Sequence, residues 1–255
     1  MVSIENRARG KGSLPPIVPW PVGQLEGRRN PERRKDMIDD RFTVPLYTVP
    51  SAASHLGMKS SRLRDWAKKD SLLTTIDAES RYPRLPFIAL VEAQVYQELL
   101  GAGLSLQAIR TGMAKVREQL GPRMLARGVL AHDGRDILMN LASAGDPEWT
   151  RARDLQGGLP RVIEMGLRPV TWDEQGIPQS VQLTAYHDAD VIADPRIAFG
   201  QPVINRTRVR VEDLLSLFKA GESIDVVAEE MDIPPSSVES IVRSRNRVST
   251  EATRR

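Results

Sequence analysis

Cationic side chains between positions 59 and 69 have the spacing that a helix needs to present positive charge on one side. Leu63 and Trp66 stand three positions apart, so both are expected to face a protein core on the other side. Ammonium and guanidinium groups bind phosphate, and a guanidinium also pairs with the edge of guanine. The pattern therefore favours recognition of a nucleic acid over bond-making chemistry. The cationic residues are Lys59, Arg62, Arg64, Lys68 and Lys69.

Two short helices joined by a tight turn are predicted to position these side chains. The first helix has apolar residues at helical spacing, and Gly57 supplies a residue that adopts a positive φ where this helix ends. Ser60 or Ser61 is predicted to cap the second helix. The pair reads as a helix-turn-helix, whose second helix enters the major groove, while the plainer alternative is a helical hairpin with a solvated basic face. The apolar positions of the first helix are Val49, Ala52, Ala53 and Leu56.

The start of the second helix and a following wing are expected to contact DNA. Ser60 and Ser61 are placed to bind phosphate through the helix start, and Arg62 is the best candidate for a guanine edge. Residues 72–86 are β-branched at their start, which predicts a two-stranded wing with a basic and aromatic tip. The predicted DNA-binding residues are Lys59, Ser60, Ser61, Arg62, Arg64, Lys68, Arg81 and Tyr82.

Residue usage argues against a metal site or a catalytic centre. The chain has no cysteine, which excludes disulfides, thiolate zinc sites, iron–sulfur clusters and thiol catalysis. The three histidines are far apart in sequence, so each is interpreted as a surface or core side chain, and we expect no metal ligands. No nucleophile–base pair or phosphate loop is found, so we predict no catalytic residues, no cofactor and no enzymatic activity. The carboxylates Asp133, Asp136, Asp146 and Glu148 are interpreted as turn formers and solvated charges.

Composition and charge are typical of a soluble cytoplasmic protein. Hydrophobic residues make up 40% of the chain and charged residues 27%. No apolar run approaches the roughly 20 residues that span a membrane, and no signal sequence opens the chain. Nine of the 36 basic and six of the 33 acidic residues lie within residues 1–41, which leaves 27 of each sign in the remainder. A DNA-binding surface on the remainder must therefore be a local patch.

Two amphipathic helices are predicted after the wing. The first covers residues 87–100, with an apolar stripe that includes Ile88 and Val95, and the second covers residues 105–120 with Ser105 as its cap. This order of helix-turn-helix, wing and helix pair resembles the MerR-like winged-helix DNA-binding domain. The matching stretches are YTVPSAASHLGM, RLRDWAKKDSLL and RYPRLP.

The resemblance to MerR-like proteins has two gaps. The thiolate ligands of metal-sensing members have no counterpart here, and Gly121 and Pro122 end the last helix before a long dimerising coiled coil. The resemblance implies a DNA-binding domain over residues 42–121. Residues 1–41 lack a sustained apolar period and are predicted to be a disordered basic arm, or else a dispensable extension.

A small α+β connector is predicted over residues 122–190. Residues 136–142 and 170–183 contain strand-like patterns. Residues 173–176 mark a turn, which predicts a hairpin with Trp172 on one strand and Val181 on the other. The fold class that follows is mainly α with small β elements.

Three helices are predicted in the last ordered unit, residues 191–246, after an extended opening that ends near Val203 and Ile204. They cover residues 211–220, 223–231 and 236–245, and a flexible basic tail is expected over residues 247–255. The second and third again have helix-turn-helix spacing. We favour the first helix-turn-helix as the DNA reader, because Arg243 and Arg245 lie late in the third C-terminal helix, whereas a reader needs cations early.

The C-terminal unit resembles a widespread bacterial domain of unknown function that is found in Vap-type antitoxins. The matching residues are 194–197 (DPRI), 200–204 (GQPVI), 207–209 (TRV) and 220–228 (AGESIDVVA). Most members have a glycine before the threonine, where this chain has Asn205 and Arg206. Together with the winged domain, the chain resembles the larger VapB-like antitoxins, which are encoded beside a PIN-like ribonuclease toxin.

This resemblance implies two binding tasks and no chemistry. One surface would bind operator DNA and repress the protein's own operon, and another would cover the metal-dependent site of the toxin. A homodimer or a toxin–antitoxin hetero-oligomer is expected, since operator repression usually needs a dimer that matches a palindrome. The alternative is a MerR-like, ligand-responsive transcriptional regulator without a toxin partner. Arginines that would place charge against acidic toxin residues are Arg243, Arg245, Arg247, Arg254 and Arg255.

Overall fold

The computed structural model describes residues 40–76, 84–120 and 158–253. Their fold is mainly α-helical with two small antiparallel sheets, as the sequence predicts. The helices are α1 (Asp40–Thr43), α2 (Val49–His55), α3 (Ser60–Lys68), α4 (Phe87–Gly101), α5 (Leu106–Leu120), α6 (Gly158–Leu167), α7 (Val211–Lys219), α8 (Ile224–Glu230) and α9 (Pro235–Thr253). The strands are β1 (Tyr47–Thr48), β2 (Arg84–Leu85), β3 (Val170–Trp172), β4 (Pro178–Gln182), β5 (Val191–Ala193) and β6 (Val203–Ile204).

The two predicted N-terminal helices are confirmed as α2 and α3. Gly57 takes φ +62° between them, as its place in the turn requires. Thr48 caps α2, because its Oγ1 accepts a hydrogen bond from the Ser51 amide at 3.2 Å. The predicted serine cap of α3 is wrong: Lys59 occupies the cap position without a side-chain cap bond, and Ser60 is already the first helical residue.

Helix α4 lies at the centre of the core. Its sequence FIALVEAQVYQELLG is apolar on almost every side, and a helix of that kind is stable only when neighbours surround it. Helices α1, α5 and α6 and strands β2 and β4 pack against it. Its buried residues include two polar ones, Glu92 and Gln94, which therefore need hydrogen-bond partners inside the protein.

The larger sheet joins the connector to the C-terminal unit. The predicted hairpin is confirmed, since β3 pairs antiparallel with β4 and Val170 lies opposite Val181. Strand β4 then pairs with β5, where Val181 lies opposite Ala193, and β5 pairs with β6. The predicted boundary at residue 190 therefore falls between two strands of one sheet. The other predicted strand segment, residues 136–142, and the four carboxylates between residues 133 and 148 lie outside the described residues.

The three C-terminal helices are confirmed as α7, α8 and α9, with Val227, Val238 and Ile241 in their shared core. Ser223 caps α8 through a bond from the Val226 amide to its Oγ. Helix α9 is longer than predicted, because it continues to Thr253 where the sequence reading expects a flexible tail from residue 247. No glycine or proline follows Pro235 within this helix, so no residue there stops it. In the described part of the chain, no helix is long and apolar enough to cross a membrane.

Gly166 marks the closest approach of α6 to α4. A Cβ atom at this position would lie 2.6 Å from Cδ2 of Leu99 and 2.9 Å from its Cγ. We predict that Gly166→Ala lowers the free energy of unfolding by about 1–3 kcal/mol through overpacking, although alanine is the better helix former. Gly101→Ala is the matched control, because a Cβ atom there would point into open space in the described part of the chain. Chemical denaturation should show the control unchanged or slightly stabilised, and equal effects of both substitutions would contradict the prediction.

Candidate nucleic-acid interface

The outward face of α3 carries most of the predicted DNA-binding residues. Lys59, Ser61, Arg62, Arg64 and Lys68 are exposed, and Ser60 is half-buried. The opposite face is buried, with Leu63 at 0% and Trp66 at 1% exposure. A cationic surface with a fixed apolar back is therefore present where the sequence predicts it.

The geometry of α3 ranks these side chains differently from the sequence. Ser61, Arg64 and Lys68 are three and four residues apart, so they form one line along the exposed side of the helix. Arg62 precedes buried Trp66 by four residues and Arg64 precedes buried Ala67 by three, so the two arginines leave from opposite flanks of the helix. A groove that receives α3 head-on would therefore meet Ser61 and Lys68 first, with Arg62 and Arg64 on either side.

Trp66 fixes α3 against the central helix. Its ring lies edge-on to that of Tyr96, with the centroids 6.2 Å apart and the planes at 73°, an arrangement that aromatic pairs favour. Gln97 of α4 also donates to the carbonyl of Leu56 at 3.0 Å, at the turn between α2 and α3. Helix α3 is thus held against a rigid scaffold, as a helix that recognises a ligand precisely would need.

Acidic groups near α3 reduce its positive charge only in part. Asp65 is exposed on the helix. Asp70 is turned inward, with its side chain 7% exposed and its Oδ1 3.5 Å from Nη1 of Arg110 in α5. The face keeps a net positive charge, which favours an anionic polymer.

The base of the predicted wing is present in the structure. Ile76 and Arg84 form an antiparallel bridge, with the Ile76 amide 2.9 Å from the Arg84 carbonyl and the Arg84 amide 3.3 Å from the Ile76 carbonyl. Strand β2 continues from this bridge and pairs with β1. The wing residues Arg81 and Tyr82 lie outside the described residues, so their contact with DNA stays a prediction.

The second helix-turn-helix presents a different surface. Arg243 of α9 pairs with Glu239 one turn earlier, at 2.5 Å, so its charge is largely neutralised. Four of the exposed residues around α8 are acidic, and repulsion by phosphate would disfavour this surface as a DNA reader. They are Glu222, Asp225, Glu229 and Glu230.

Arg245 joins α9 to the first helix-turn-helix. Its guanidinium donates to Oε2 of Glu212 at 2.9 Å and to Oγ of Ser54, the residue before the end of α2. Ser244 adds a bond to the carbonyl of Ala185 at 2.7 Å. The sequence reading places Arg245 in a toxin-binding tail, but the structure places it in an internal contact. The side chain of Arg247 and all of Arg254 and Arg255 lie outside the described residues.

His55 lies behind this contact. Its Nδ1 is 3.0 Å from the hydroxyl of Tyr186, and its side chain is buried. Burial, reinforced by the charge of Arg245, lowers the pKa of His55 from 6.5 to about 4. The imidazole is therefore neutral at physiological pH and serves as part of the core.

Comparisons with known proteins match one C-terminal segment to a family model and most of the chain to a relative and to a solved structure. Residues 191–243 match a family model described as a protein of unknown function, DUF433. A protein of Mycobacterium tuberculosis named "Putative antitoxin VapB45" is 28% identical over 224 residues, which cover 79% of this chain and 94% of the relative. The crystal structure of Rv2018 from the same organism superposes with a TM-score of 0.67 at 29% identity, over 79% of this chain and 99% of that one. Over most of its length, the chain is therefore similar to a protein named as an antitoxin and shares the fold of a solved mycobacterial structure.

Proposed function

We propose that this protein is the antitoxin of a type II toxin–antitoxin system, which binds operator DNA through α3 and its wing and neutralises a PIN-like ribonuclease toxin in the cytoplasm. The observation that carries the proposal is the similarity to a named antitoxin over 224 residues, since it spans more than the C-terminal family segment. The role requires binding surfaces and no catalytic group, which fits a regulatory protein.

The DNA-binding half of the proposal rests on the exposed cationic face of α3. Phosphate contacts by Lys59, Arg62, Arg64 and Lys68 would supply affinity, and contacts to base edges would supply specificity. The acidic surroundings of α8 and the Arg243–Glu239 pair disfavour the second helix-turn-helix for this task. Operator binding by a homodimer, or by a hetero-oligomer with the toxin, would place two copies of α3 in successive major grooves.

The toxin-binding half rests on arginines near the C-terminus. A PIN-like site holds its metal with clustered carboxylates, and an arginine delivered by a partner pairs well with such groups. Arg245 is already paired with Glu212 and Arg243 with Glu239, so we assign this role to Arg247, Arg254 and Arg255.

Titration of the full-length protein with a labelled duplex that carries the region upstream of its own gene tests the DNA-binding half. We predict tighter binding to this duplex than to a scrambled duplex of the same length and composition. The logarithm of the association constant should fall with log salt at a slope of about −4 per bound chain, if four side chains each neutralise one phosphate. Equal affinity for both duplexes would contradict operator recognition.

Co-expression tests the toxin-binding half. The product of the neighbouring open reading frame should arrest growth alone and be neutralised by this protein. A variant that ends after Asn246 should lose neutralisation while it keeps operator binding. Full neutralisation by that variant would exclude the C-terminal arginines, and a neighbouring transporter gene without toxicity would favour a ligand-responsive regulator.

A further inference from the structure

The residues that follow α3 are held by side chains from α4 and α5. Arg117 of α5 donates through Nη1 to the carbonyl of Ser71 at 2.7 Å and through Nη2 to the carbonyl of Leu72 at 3.2 Å. The hydroxyl of Tyr96 donates to the same Leu72 carbonyl at 3.2 Å. The exit of the helix is therefore fixed by three hydrogen bonds from outside its own segment.

Glu92 of α4 holds Thr74, two residues further along the chain. Its two carboxylate oxygens accept from the amide of Thr74 at 2.5 Å and from the Thr74 hydroxyl at 2.9 Å. The Glu92 side chain is buried, with 1% of the residue exposed. A buried carboxylate is costly unless it is fully hydrogen-bonded, so its presence here calls for a specific role.

The held segment connects the two parts of the proposed DNA-binding surface. Residues 71–74 lead from the end of α3 to the Ile76–Arg84 bridge at the base of the wing. Ser71 has φ +50°, a conformation that a residue other than glycine keeps only when its surroundings impose it. A fixed segment at this point sets the position of the Ile76–Arg84 bridge relative to α3.

We propose that Glu92, Tyr96 and Arg117 are positioning residues for DNA reading, which lock the segment between α3 and the wing in the geometry that matches duplex DNA. The proposal rests on the proposed function. Since the segment is ordered before DNA arrives, binding does not have to supply the conformational entropy of ordering it. Loss of the hydrogen bonds that hold residues 71–74 should therefore weaken specific DNA binding more than non-specific binding. Non-specific binding does not need a fixed position of the wing.

The ionisation of Glu92 should make the Glu92–Thr74 hydrogen bonds, and therefore DNA binding, depend on pH. The carboxylate accepts both bonds from Thr74, whereas the protonated acid turns one of its oxygens into a donor. Burial raises the pKa of Glu92 to about 7, against the opposing influence of the Thr74 hydrogen bonds and of the Arg117 cation. The ionisable groups that face Glu92 are Arg117 from α5 and Tyr96 from its own helix.

The expected pH effects on folding and on DNA binding have opposite signs. A carboxyl group whose pKa is raised in the folded state stabilises the fold below its unfolded pKa, and that stabilisation is lost as pH rises through 7. In contrast, Glu92 accepts both hydrogen bonds from Thr74 only when its carboxyl group is ionised. Affinity for the upstream duplex should therefore rise about fivefold from pH 6 to pH 8, while the contribution of Glu92 to stability falls.

Four full-length proteins test the proposal: the wild type, Glu92→Gln, Arg117→Gln and the control Lys115→Gln. Lys115 lies on the same helix as Arg117 and pairs with Glu118, three residues later, at 2.8 Å. Arg117→Gln and Lys115→Gln each remove one positive charge from this helix. Arg117→Gln should lose about tenfold in affinity for the upstream duplex and much less for the scrambled duplex. Lys115→Gln should change both affinities equally and little. Glu92→Gln should bind with an affinity that no longer depends on pH between 6 and 8.

Hydrogen exchange provides a readout without DNA. Amides of residues 72–76 should exchange faster in Glu92→Gln and Arg117→Gln than in the wild type or the control. If Glu92→Gln fails to fold, Arg117→Gln still tests the proposal, because Arg117 is half-exposed and its replacement disturbs the core less. If the wild type prefers the upstream duplex and Arg117→Gln prefers it to the same extent, the positioning role is refuted while operator recognition stands. Failure of the wild type to prefer the upstream duplex would refute operator recognition, and the positioning role with it.

Discussion

Affinity for the upstream duplex is expected to fall roughly a hundredfold when Arg64 and Lys68 are both replaced by glutamine. Lys68 lies on the outward side of α3 and Arg64 on its flank, and both are exposed, so both can contact a groove that receives the helix. Glutamine keeps the helix propensity and much of the side-chain length but removes the charge. Fluorescence anisotropy with a labelled duplex at fixed salt measures the loss, and the salt slope should become shallower by about two.

A matched double substitution on the C-terminal helices controls for the loss of charge. Lys219→Gln with Arg243→Gln removes the same two charges from α7 and α9, and both residues pair with glutamates there. This variant should bind almost as tightly as the wild type. If it loses as much affinity as the α3 variant, the loss reflects net charge and not the position of the cations on α3. Arg62→Gln, measured separately, tests whether this flanking arginine reads a guanine, in which case specificity at one base pair should relax.

The stability contributed by neutral His55 is expected to decline by about 2–3 kcal/mol between pH 7 and pH 4.5. The unfolded chain takes up a proton with a pKa of 6.5, whereas the folded chain resists protonation down to about 4. Between these values the unfolded state binds more protons, so stability falls as pH falls. A charged imidazole would lie buried beside the Arg245 cation, which explains the direction.

His55→Gln isolates this effect, since glutamine retains a hydrogen-bonding group for Tyr186 without titrating in this range. Urea unfolding of both proteins at pH 7 and pH 4.5 gives four free energies. The advantage of the wild type should shrink, or reverse, at pH 4.5. The comparison cancels Glu92, whose raised pKa acts in the opposite direction. An equal difference at both pH values would show that His55 is not held neutral in the fold.

The local elements of the fold were accessible from sequence because their signals are local. Apolar spacing with Gly57 defines α2 and α3, and the turn before Gly176 defines the β3–β4 hairpin. Helix ends were less accessible. A serine at the start of α3 looked like a cap, but Lys59 holds that position, while Thr48 does cap α2. Cap choice depends on the path of the preceding chain, which composition does not reveal.

The long-range contacts were not accessible from sequence. Glu92 looked like the polar side of an amphipathic helix, yet α4 is surrounded, and the partner of Glu92 lies 18 residues away. Arg245 is predicted from sequence to place its charge against a toxin, yet Ser54 and Glu212 bind it within this protein. A side chain's sequence neighbours set its face of the helix, but the tertiary fold decides what covers that face. The exposed cationic face of α3 was therefore predictable from sequence, its role in DNA binding stays a prediction, and the contacts that support the helix required the structure.

Strand β5 has a consequence for how the C-terminal segment could be moved between proteins. The family match begins at Val191, at the first residue of β5, but the hydrogen-bonding partner of β5 on one side is β4, from the preceding part of the chain. A fragment cut at residue 191 would expose a row of unpaired amide and carbonyl groups, which invites pairing with another chain. In this protein, residues 191–243 do not form an independent unit. A fusion of this segment to another protein would need β4 (Pro178–Gln182) as well, or a strand of the other protein that pairs with β5 in its place.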